Sequence, residues 1–369
     1  MSACDACLRR AALLGALAGW IARALDAHRR LPEVLALGDE ELVEGVCGLH
    51  RGRIDAAMEA FDPGVARHEA QEAGLWTVCP HNGRYPARLR ESSDAPAALY
   101  FSGSEARLET LCAEHAVAIV GSRRASPYGL EVAHVLGREL SACAVPVVSG
   151  LAFGIDSSAH EGALAGGGLT VAVMPSGADF AYPRSKHRLH GRIGERGLVL
   201  SEMPPGARPF RWSFPARNRI MAGLASMTIV VEGNRSSGSL ITARFAQDLG
   251  REVGAVPGQV TSALAAGPNA LLADGACVVR SAADVLDALY GPGGRDRVRP
   301  PDPLLEPLLA RLLGAVEQGR TMESLAGAGE DVGEVLAGLT ELELLGLVRR
   351  GPGGSYVRSA EGGAYACRE

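Results

Sequence analysis

Lysine is almost missing from this chain of 369 residues: Lys186 stands alone among 37 basic residues, the rest being arginine. The scarcity excludes chemistry. No G-x-x-x-x-G-K-[ST] phosphate loop can be written, since Ser185 precedes Lys186 and no glycine opens the motif. A Schiff-base or general-base lysine could only be Lys186. Arginine-favouring codon usage accounts for the skew as composition and leaves open why one lysine stands where it does.

Other absences narrow the class further. No G-x-G-x-x-G dinucleotide fingerprint and no G-x-S-x-G nucleophile elbow occur anywhere. No apolar run reaches the ~18 residues of a membrane span. Arg9-Arg10 and the apolar stretch to Ala22 imitate a signal peptide, but Asp5 lies in the would-be basic region and the helical pattern runs on to Leu25. An amphipathic helix of a cytoplasmic protein is the expectation. The eight cysteines are scattered, unlike a compact disulfide framework. Cys4 and Cys7 form a C-x-x-C that needs a second ligand pair to read as zinc, and no second C-x-x-C follows. No metal and no cofactor are assigned.

Aromatics make up only 5% of the chain while glycine numbers 47, which suits a glycine-rich α/β protein better than an all-β one. The length predicts two or three domains. Residues 1–75 read as short helices (9–27, 31–37, 39–47 and 51–61), with Asp39 as an N-cap. A proline-bearing connector covers 76–104. From 105 to 291, short apolar runs ending in glycine or serine alternate with helical stretches. The strands are expected at 116–121, 145–150, 169–175, 198–201, 227–232, 252–256 and 277–279. Continuously apolar strands between helices imply a doubly wound parallel sheet covered on both faces, with more strands than usual. Residues 292–303 read as a linker, and 304–369, as helices followed by strand, glycine turn and strand, as a winged helix.

The net charge of −5 argues at first against nucleic acid, but its distribution does not. Residues 181–220 hold nine basic and two acidic groups, a local +7: Arg184, Lys186, Arg188, Arg192, Arg196, Arg208, Arg211, Arg217 and Arg219. Tyr182, Phe210, Trp212 and Phe214 are interleaved with them. Arginines neutralise phosphates while aromatics stack bases, so the pattern favours a polyanion site over a merely solvated face.

Ligands of open α/β sheets sit beyond the carboxyl ends of the strands. Four segments there look built for anions. Gly121-Ser122-Arg123-Arg124 combines close backbone approach, a hydroxyl and a fork that suits phosphate. Ser149-Gly150 opens a turn that closes on Gly154-Ile155-Asp156. Ser236-Ser237-Gly238-Ser239 opens a helix whose free N–H groups favour an anion. Phe214-Pro215-Ala216-Arg217-Asn218-Arg219 sets two arginines around an amide. Each alone is an ordinary cap; four together are not. Asp156 with His160, and His187 with His190, are spaced for metal but lack a third partner, so solvated or capping roles are expected. No nucleophile–base–acid set assembles, and the site reads as binding phosphate without breaking bonds.

These segments resemble the DprA/Smf family of DNA-processing proteins. The resemblance rests on Gly121-Ser122-Arg123 with Tyr128-Gly129, Ser149-Gly150 with Gly154-Ile155-Asp156, and Tyr182-Pro183. It continues in the same order through Phe214-Pro215 with Arg217-Asn218-Arg219-Ile220, then Ser237-Gly238-Ser239-Leu240-Ile241-Thr242-Ala243, and Val256-Pro257-Gly258. It covers about 110–290. It implies an extended Rossmann-like domain after a sterile-alpha-motif-like helical domain, often followed by a winged helix. It further implies a dimer that binds single-stranded DNA, protects incoming DNA and loads RecA during natural transformation. Gly121, Ser122 and Arg123 would hold phosphate, and Ser149 and Gly150 would line the pocket. Lys186 falls where the family commonly has a basic residue, with Arg124, Arg184 and Arg188 beside these groups. Phe214, Arg217, Asn218, Arg219, Ser237, Gly238, Ser239 and Thr242 would complete the DNA face.

Two departures stand out. Gly233 replaces a more usual alanine. The expected recognition helix of the C-terminal domain, from Glu330 to Glu343, carries acidic residues and no basic one. A winged helix reading duplex DNA needs cations facing phosphates. The module is therefore expected to be structural or protein-binding, with Arg349, Arg350 and Arg358 of the wing touching DNA weakly. The alternative function is a Rossmann-like nucleotide phosphoribohydrolase, holding a 5′-phosphate in the same cradles with Glu202 or Asp156 acting on the glycosidic bond. The P-G-G-x-G-T loop of those enzymes is absent.

Overall fold

The structure, a computed structural model, describes residues 2–26, 31–47, 50–293, 306–317, 332–345, 347–350 and 355–358. It divides into two compact units, Met1–Val298 and Arg299–Glu369.

The first unit opens with five helices: α1 (Asp5–Asp26), α2 (Leu31–Ala36), α3 (Asp39–Cys47), α4 (Arg51–Glu59) and α5 (Pro63–Glu72). The apolar stretch of α1 is spent inward. Leu13, Leu17 and Ile21, spaced by four, pack with Val34, Leu42, Ile54 and Met58. No helix among the described residues is long and apolar enough to cross a membrane. Asp39 is the first residue of α3 rather than its cap; it pairs with Arg10 of α1 at 2.5 Å.

The α/β region runs through β1 (Trp76–Val78), α6 (Ala87–Arg90), β2 (Leu99–Ser102), α7 (Glu105–Ala113), β3 (Val117–Val120), α8 (Pro127–Ala142) and β4 (Val147–Ser149). It continues with α9 (Ile155–Gly166), β5 (Thr170–Val173), a 3₁₀ turn (Arg184–Lys186), α10 (His187–Arg196), β6 (Leu198–Ser201), α11 (Ser213–Leu224) and β7 (Met227–Val230). It ends with α12 (Ser239–Asp248), β8 (Glu252–Ala255), α13 (Ala266–Ala273), β9 (Cys277–Val278) and α14 (Ala282–Tyr290). Nine strands form one sheet in the order β1-β2-β6-β5-β4-β3-β7-β8-β9.

The seven strands expected from the apolar runs are the parallel ones, and both faces of β3 to β7 are buried. Alternation along β3 explains the two cores. Val117 and Ile119 meet α8, α9 and α14 on one face, while Ala118 and Val120 meet α11 and α12 on the other. The stretch read as a connector differs from expectation. It supplies β1 and β2, which add to β6 antiparallel and extend the sheet at that edge. These strands are three and four residues long, and the prolines near them, Pro80, Pro86 and Pro96, fall outside the paired residues.

The helical region is bonded to the sheet region through α11. Trp212 is 4% exposed, packs among Leu13, Leu17 and Met203, and donates from Nε1 to the Ala18 carbonyl at 2.8 Å. It is therefore a core residue and not a stacking platform for bases.

The second unit contains α15 (Pro307–Glu317), α16 (Val332–Leu344) and the antiparallel hairpin β10 (Val348–Arg350) with β11 (Tyr356–Arg358). Leu312, Leu339, Leu342 and Val348 form its core. This matches the outer parts of the expected winged helix; the middle helix and the wing tip fall outside the described residues. On α16, Glu334 and Glu341 are exposed, and Arg350 pairs with Glu343 at 3.2 Å, stacked 5.7 Å over Tyr356. The side chains of Arg349 and Arg358 fall outside the described set.

Candidate nucleic-acid interface

The strand order reverses at β3, which has β4 on one side and β7 on the other. Loops leaving the two sides must part there, and a crevice opens at the strand ends. In this chain it is a cleft of about 360 Å³ lined by Gly121, Ser122, Arg123, Asp156, Phe214, Arg217, Asn218, Ser236 to Ser239 and Thr242. All four anion-binding segments anticipated from the sequence converge on it.

Each wall has a local cause. The turn after β3 is tied to the end of β7 by Ser122 N–H donating to the Glu232 carbonyl at 2.7 Å. Arg124 N–H donates to Ser122 Oγ at 3.1 Å, which curls the loop and leaves Arg123 exposed. The β4–α9 turn needs Gly154 at φ +75, since a Cβ there would sit 2.2 Å from the Ser122 carbonyl. On the far wall, Ser237 and Ser239 share a hydroxyl hydrogen bond of 2.8 Å at the start of α12. Thr242 lies one turn further on. Its Oγ1 is buried and has no partner. Orphaned buried hydroxyls are costly, and one that lines a cleft at a helix N-terminus is placed to meet an acceptor brought by a ligand.

Arg217 is the pillar between the walls. It is 5% exposed, donates to the carbonyls of Gly150 and of Val173 (2.9 Å), and places Nε on Asn218 Oδ1 at 3.1 Å. Burial lowers its pKa from the usual arginine value, opposed by Asp156 and assisted by Arg123. Asp156 is fully buried; burial raises its carboxyl above the usual range while Arg217 pulls it down. His160, a turn along α9, is 0% exposed and bonds Thr170 Oγ1 at 2.8 Å; burial and then Arg217 lower its pKa to about 3. Of the solvated or capping roles expected, the solvated one does not hold, because both residues are buried; the Asp156 carboxylate accepts from the Ala152 N–H at 3.4 Å. His187 and His190 contact the carbonyls of Arg184 and Ala178 and converge on nothing.

A groove of about 100 Å³ continues from the cleft past Gly150, Phe153, Tyr182, Pro183 and Phe214. Rings line it and cations sit over two of them. Arg123 lies 5.2 Å over Phe214, Phe214 meets Tyr182 edge-on at 5.6 Å, and Lys186 lies 5.7 Å over Phe153. Phe153 and Tyr182 are 45% and 39% exposed, leaving ring faces free to stack. Phe153 had not been singled out in the sequence, although an aromatic between two turn glycines was a signal.

Several anticipated residues lie elsewhere. Arg219 points away from the cleft, because residues two apart on a helix face different sides. It is 5% exposed and pairs with Glu202 and with Asp94, at 3.5 Å to its carboxylate and 2.5 Å to its carbonyl. Glu202 is thereby held outside the cleft, and burial raises its pKa against the pull of Arg219. Ser149 is fully buried and donates to the Ile119 carbonyl at 2.6 Å, supporting the loop from below. Arg124, Arg184 and Arg188 are exposed but line neither cavity. Gly233 is tightly placed: an added Cβ would come within 2.9 Å of Ser237 Cβ. Among the described residues no metal-ligand cluster lies in the cleft.

Comparison with known proteins agrees with this architecture. A family model described as DNA recombination-mediator protein A matches residues 76–290, a span that begins at β1. Protein Smf of Synechocystis is 32% identical over 359 residues, 88% of this chain and 89% of that protein. DNA processing protein DprA of Streptococcus pneumoniae is 44% identical over 202 residues, 55% of this chain and 70% of that protein. The X-ray structure of the pneumococcal DprA superposes with a TM-score of 0.61 at 33% identity, covering 78% of this chain and 98% of that one. DprA from Helicobacter pylori, whose structure is described in terms of its single-stranded DNA binding mode, gives a TM-score of 0.53 at 31% identity, covering 58% and 95%.

Proposed function

Because this chain belongs to the DprA/Smf family, the DNA recombination-mediator protein A family, we propose that its cleft and groove bind single-stranded DNA and catalyse no reaction. The observation that carries the reading is a set of three rings along the groove, Phe214, Tyr182 and Phe153, with Arg123 over the first and Lys186 over the last. Phosphates would meet Arg123, Ser122, Asn218 and the start of α12, with Ser237, Gly238, Ser239 and Thr242 closing around them. Bases would stack on the rings, tolerant of sequence because every base offers a π-face. Arg124, Arg184 and Arg188 would extend the electrostatic field without direct readout.

The family supports two finer steps: protection of incoming strands and loading of RecA on them during natural transformation, by a homodimer in the cytoplasm. The domain division at 1–75, 105–291 and 304–369 belongs to the same proposal, with the sheet taken to begin at β1.

Fluorescence anisotropy with single- and double-stranded oligonucleotides at two salt concentrations tests the core reading. Preference for single strands, weakening steeply with salt, is expected. Equal affinity for duplex would count against it, and base release from nucleoside monophosphates would favour the hydrolase, since Asp156 does line the cleft. RecA filament growth on strands coated with single-strand-binding protein, with and without this chain, tests the loading step. Light scattering tests the dimer.

A further inference from the structure

The second ligand pair that the C-x-x-C of Cys4 and Cys7 lacks in sequence is supplied by the fold, as Cys79 and His81. The three sulfurs and a ring nitrogen of His81 all lie within 4.8 Å of one another, the one such group of four among the described residues. We propose that these four side chains bind a structural Zn²⁺ ion that fastens the start of α1 to the end of β1.

The geometry follows from local structure. Cys4 immediately precedes α1 and Cys7 sits in its first turn, so a spacing of three puts both thiols on one side of the helix start. Cys79 follows β1 directly. The Asn82 N–H donates to the Cys79 carbonyl at 2.8 Å, turning the chain so that His81 faces back toward the helix. His81 Nδ1 then lies 3.4 Å from Cys4 Sγ and 3.4 Å from Cys7 Sγ. A tetrahedron with zinc–sulfur bonds of about 2.3 Å and a zinc–nitrogen bond of about 2.0 Å has sulfur–nitrogen edges of about 3.5 Å, so the two separations already match a coordination shell. The Cys4 N–H points at Cys79 Sγ at 3.5 Å, the outer-sphere contact by which a backbone amide steadies a metal-bound thiolate.

The donor set argues for the metal and for its role. Three thiolates with one imidazole is a soft set of the kind that holds zinc, and four protein ligands leave no open position for substrate. Cys7 and Cys79 are 7% and 2% exposed, Cys4 is half-buried, and His81 closes the site from the solvent side. The ion would tie residues some 75 apart, where β1 is a three-residue edge strand and Ala3 N–H already donates to Thr77 Oγ1 at 2.9 Å. Closing so long a loop restricts the unfolded chain as a disulfide would.

The test is metal analysis of the full chain, purified in reductant without chelator. Mass spectrometry of the digested protein should find one zinc per chain, released when a mercurial titrates the thiols. Cobalt exchanged into the site should show the intense visible bands of tetrahedral thiolate coordination. His81→Ala and Cys7→Ser should each lose the metal, His81→Cys should keep it, and Cys47→Ser, at a thiol outside the cluster, should leave it unchanged. Circular dichroism confirms that the His81 variants, altered only at an exposed side chain, are folded. Wild-type protein without stoichiometric zinc, a Cys4–Cys7 disulfide under these conditions, or full zinc retained in both His81→Ala and Cys7→Ser would overturn the proposal. None of these readouts depends on DNA binding.

Discussion

The guanidinium of Arg217 occupies the space in which a side chain on Gly150 would begin: a Cβ built there would stand 1.6 Å from Arg217 Nη1. The two residues come from different elements, one from the turn after β4 and one from α11, and both line the groove. Their contact sets how closely those elements approach. Gly150→Ala cannot be absorbed by a flexible tail, because the guanidinium is buried and bonded to two carbonyls. The variant should lose about 1–3 kcal/mol of stability by overpacking and at least tenfold in affinity for single strands. Thermal unfolding and anisotropy on the same preparation check both, and wild-type affinity would show that this spacing does not matter.

Arg123 and Phe214 touch, yet they should fail in different ways. Arg123→Ala removes a phosphate contact, so affinity should fall and the slope of log K against log salt should flatten by about 0.7. Phe214→Ala removes a stacking face, costing about 1–3 kcal/mol of affinity with the slope unchanged. Salt titrations of the two variants side by side decide this. Identical slopes would mean that the pair acts as one structural unit and that the division into phosphate and base contacts is wrong.

Much of this architecture was open to reading from the residues, and the exceptions have physical causes. Strands β3 to β7 are covered on both faces and so appear as apolar runs in the sequence, and β8 and β9 read the same way although Glu252 and Val278 are exposed. Strands β1 and β2 do not, being short, set among prolines and visible only through the pairing of β2 with β6 and of β1 with β2. Three of the four cleft segments carried their own glycine and serine signals, and the fourth, the start of α11, its paired arginines. Whether an arginine faces ligand or core did not. Arg217 and Arg219 share one motif and differ only in which side of α11 they occupy, which depends on where Asp94 and Glu202 lie after folding. Trp212 shows the same limit, since its partner is a carbonyl of α1. The Cys79–His81 pair was invisible as a motif because it is separated from Cys4 and Cys7 by the whole helical region.

Arg219 belongs to stability and not to binding. It satisfies two carboxylates in a site from which water is excluded, and removing one partner of a buried ion pair typically costs about 3–5 kcal/mol. Arg219→Ala should therefore unfold at a markedly lower denaturant concentration, while strands bound by its folded fraction keep the wild-type salt slope. A flattened slope with unchanged stability would return Arg219 to the DNA face.

The lone lysine gives a sharper test than its composition suggested. Lys186 is half-buried, with Nζ 5.7 Å over Phe153, a ring that lines the groove. Lys186→Ala should weaken binding to all sequences alike, with a slope change like that of Arg123→Ala. Lys186→Arg keeps the charge and the ring contact and should lose less. Equal losses in both variants would indicate that the compact ammonium, rather than its charge, is what the site requires.

The base of the cleft makes a pH prediction whose direction is set by burial. His160 is neutral in the folded protein because its pKa is lowered to about 3, against 6.5 when unfolded. Between those values the unfolded chain binds a proton that the folded chain does not, so acid favours unfolding and the stability contributed by neutral His160 falls as pH drops from about 6.5 toward 3. At about 1.4 kcal/mol per unit, lowering the pH from 6.5 to 5 should cost about 2 kcal/mol. Asp156 and Glu202, both raised by burial, act in the opposite sense over the carboxylate range, so the wild-type curve alone mixes the effects. His160→Gln keeps an amide to bond Thr170 and does not titrate. Denaturant midpoints of both proteins at pH 7.5 and 5 isolate the histidine: the wild type should lose about 2 kcal/mol more than the variant across that interval. Parallel losses would mean that His160 takes up its proton without unfolding, and that the packed base of the cleft admits water.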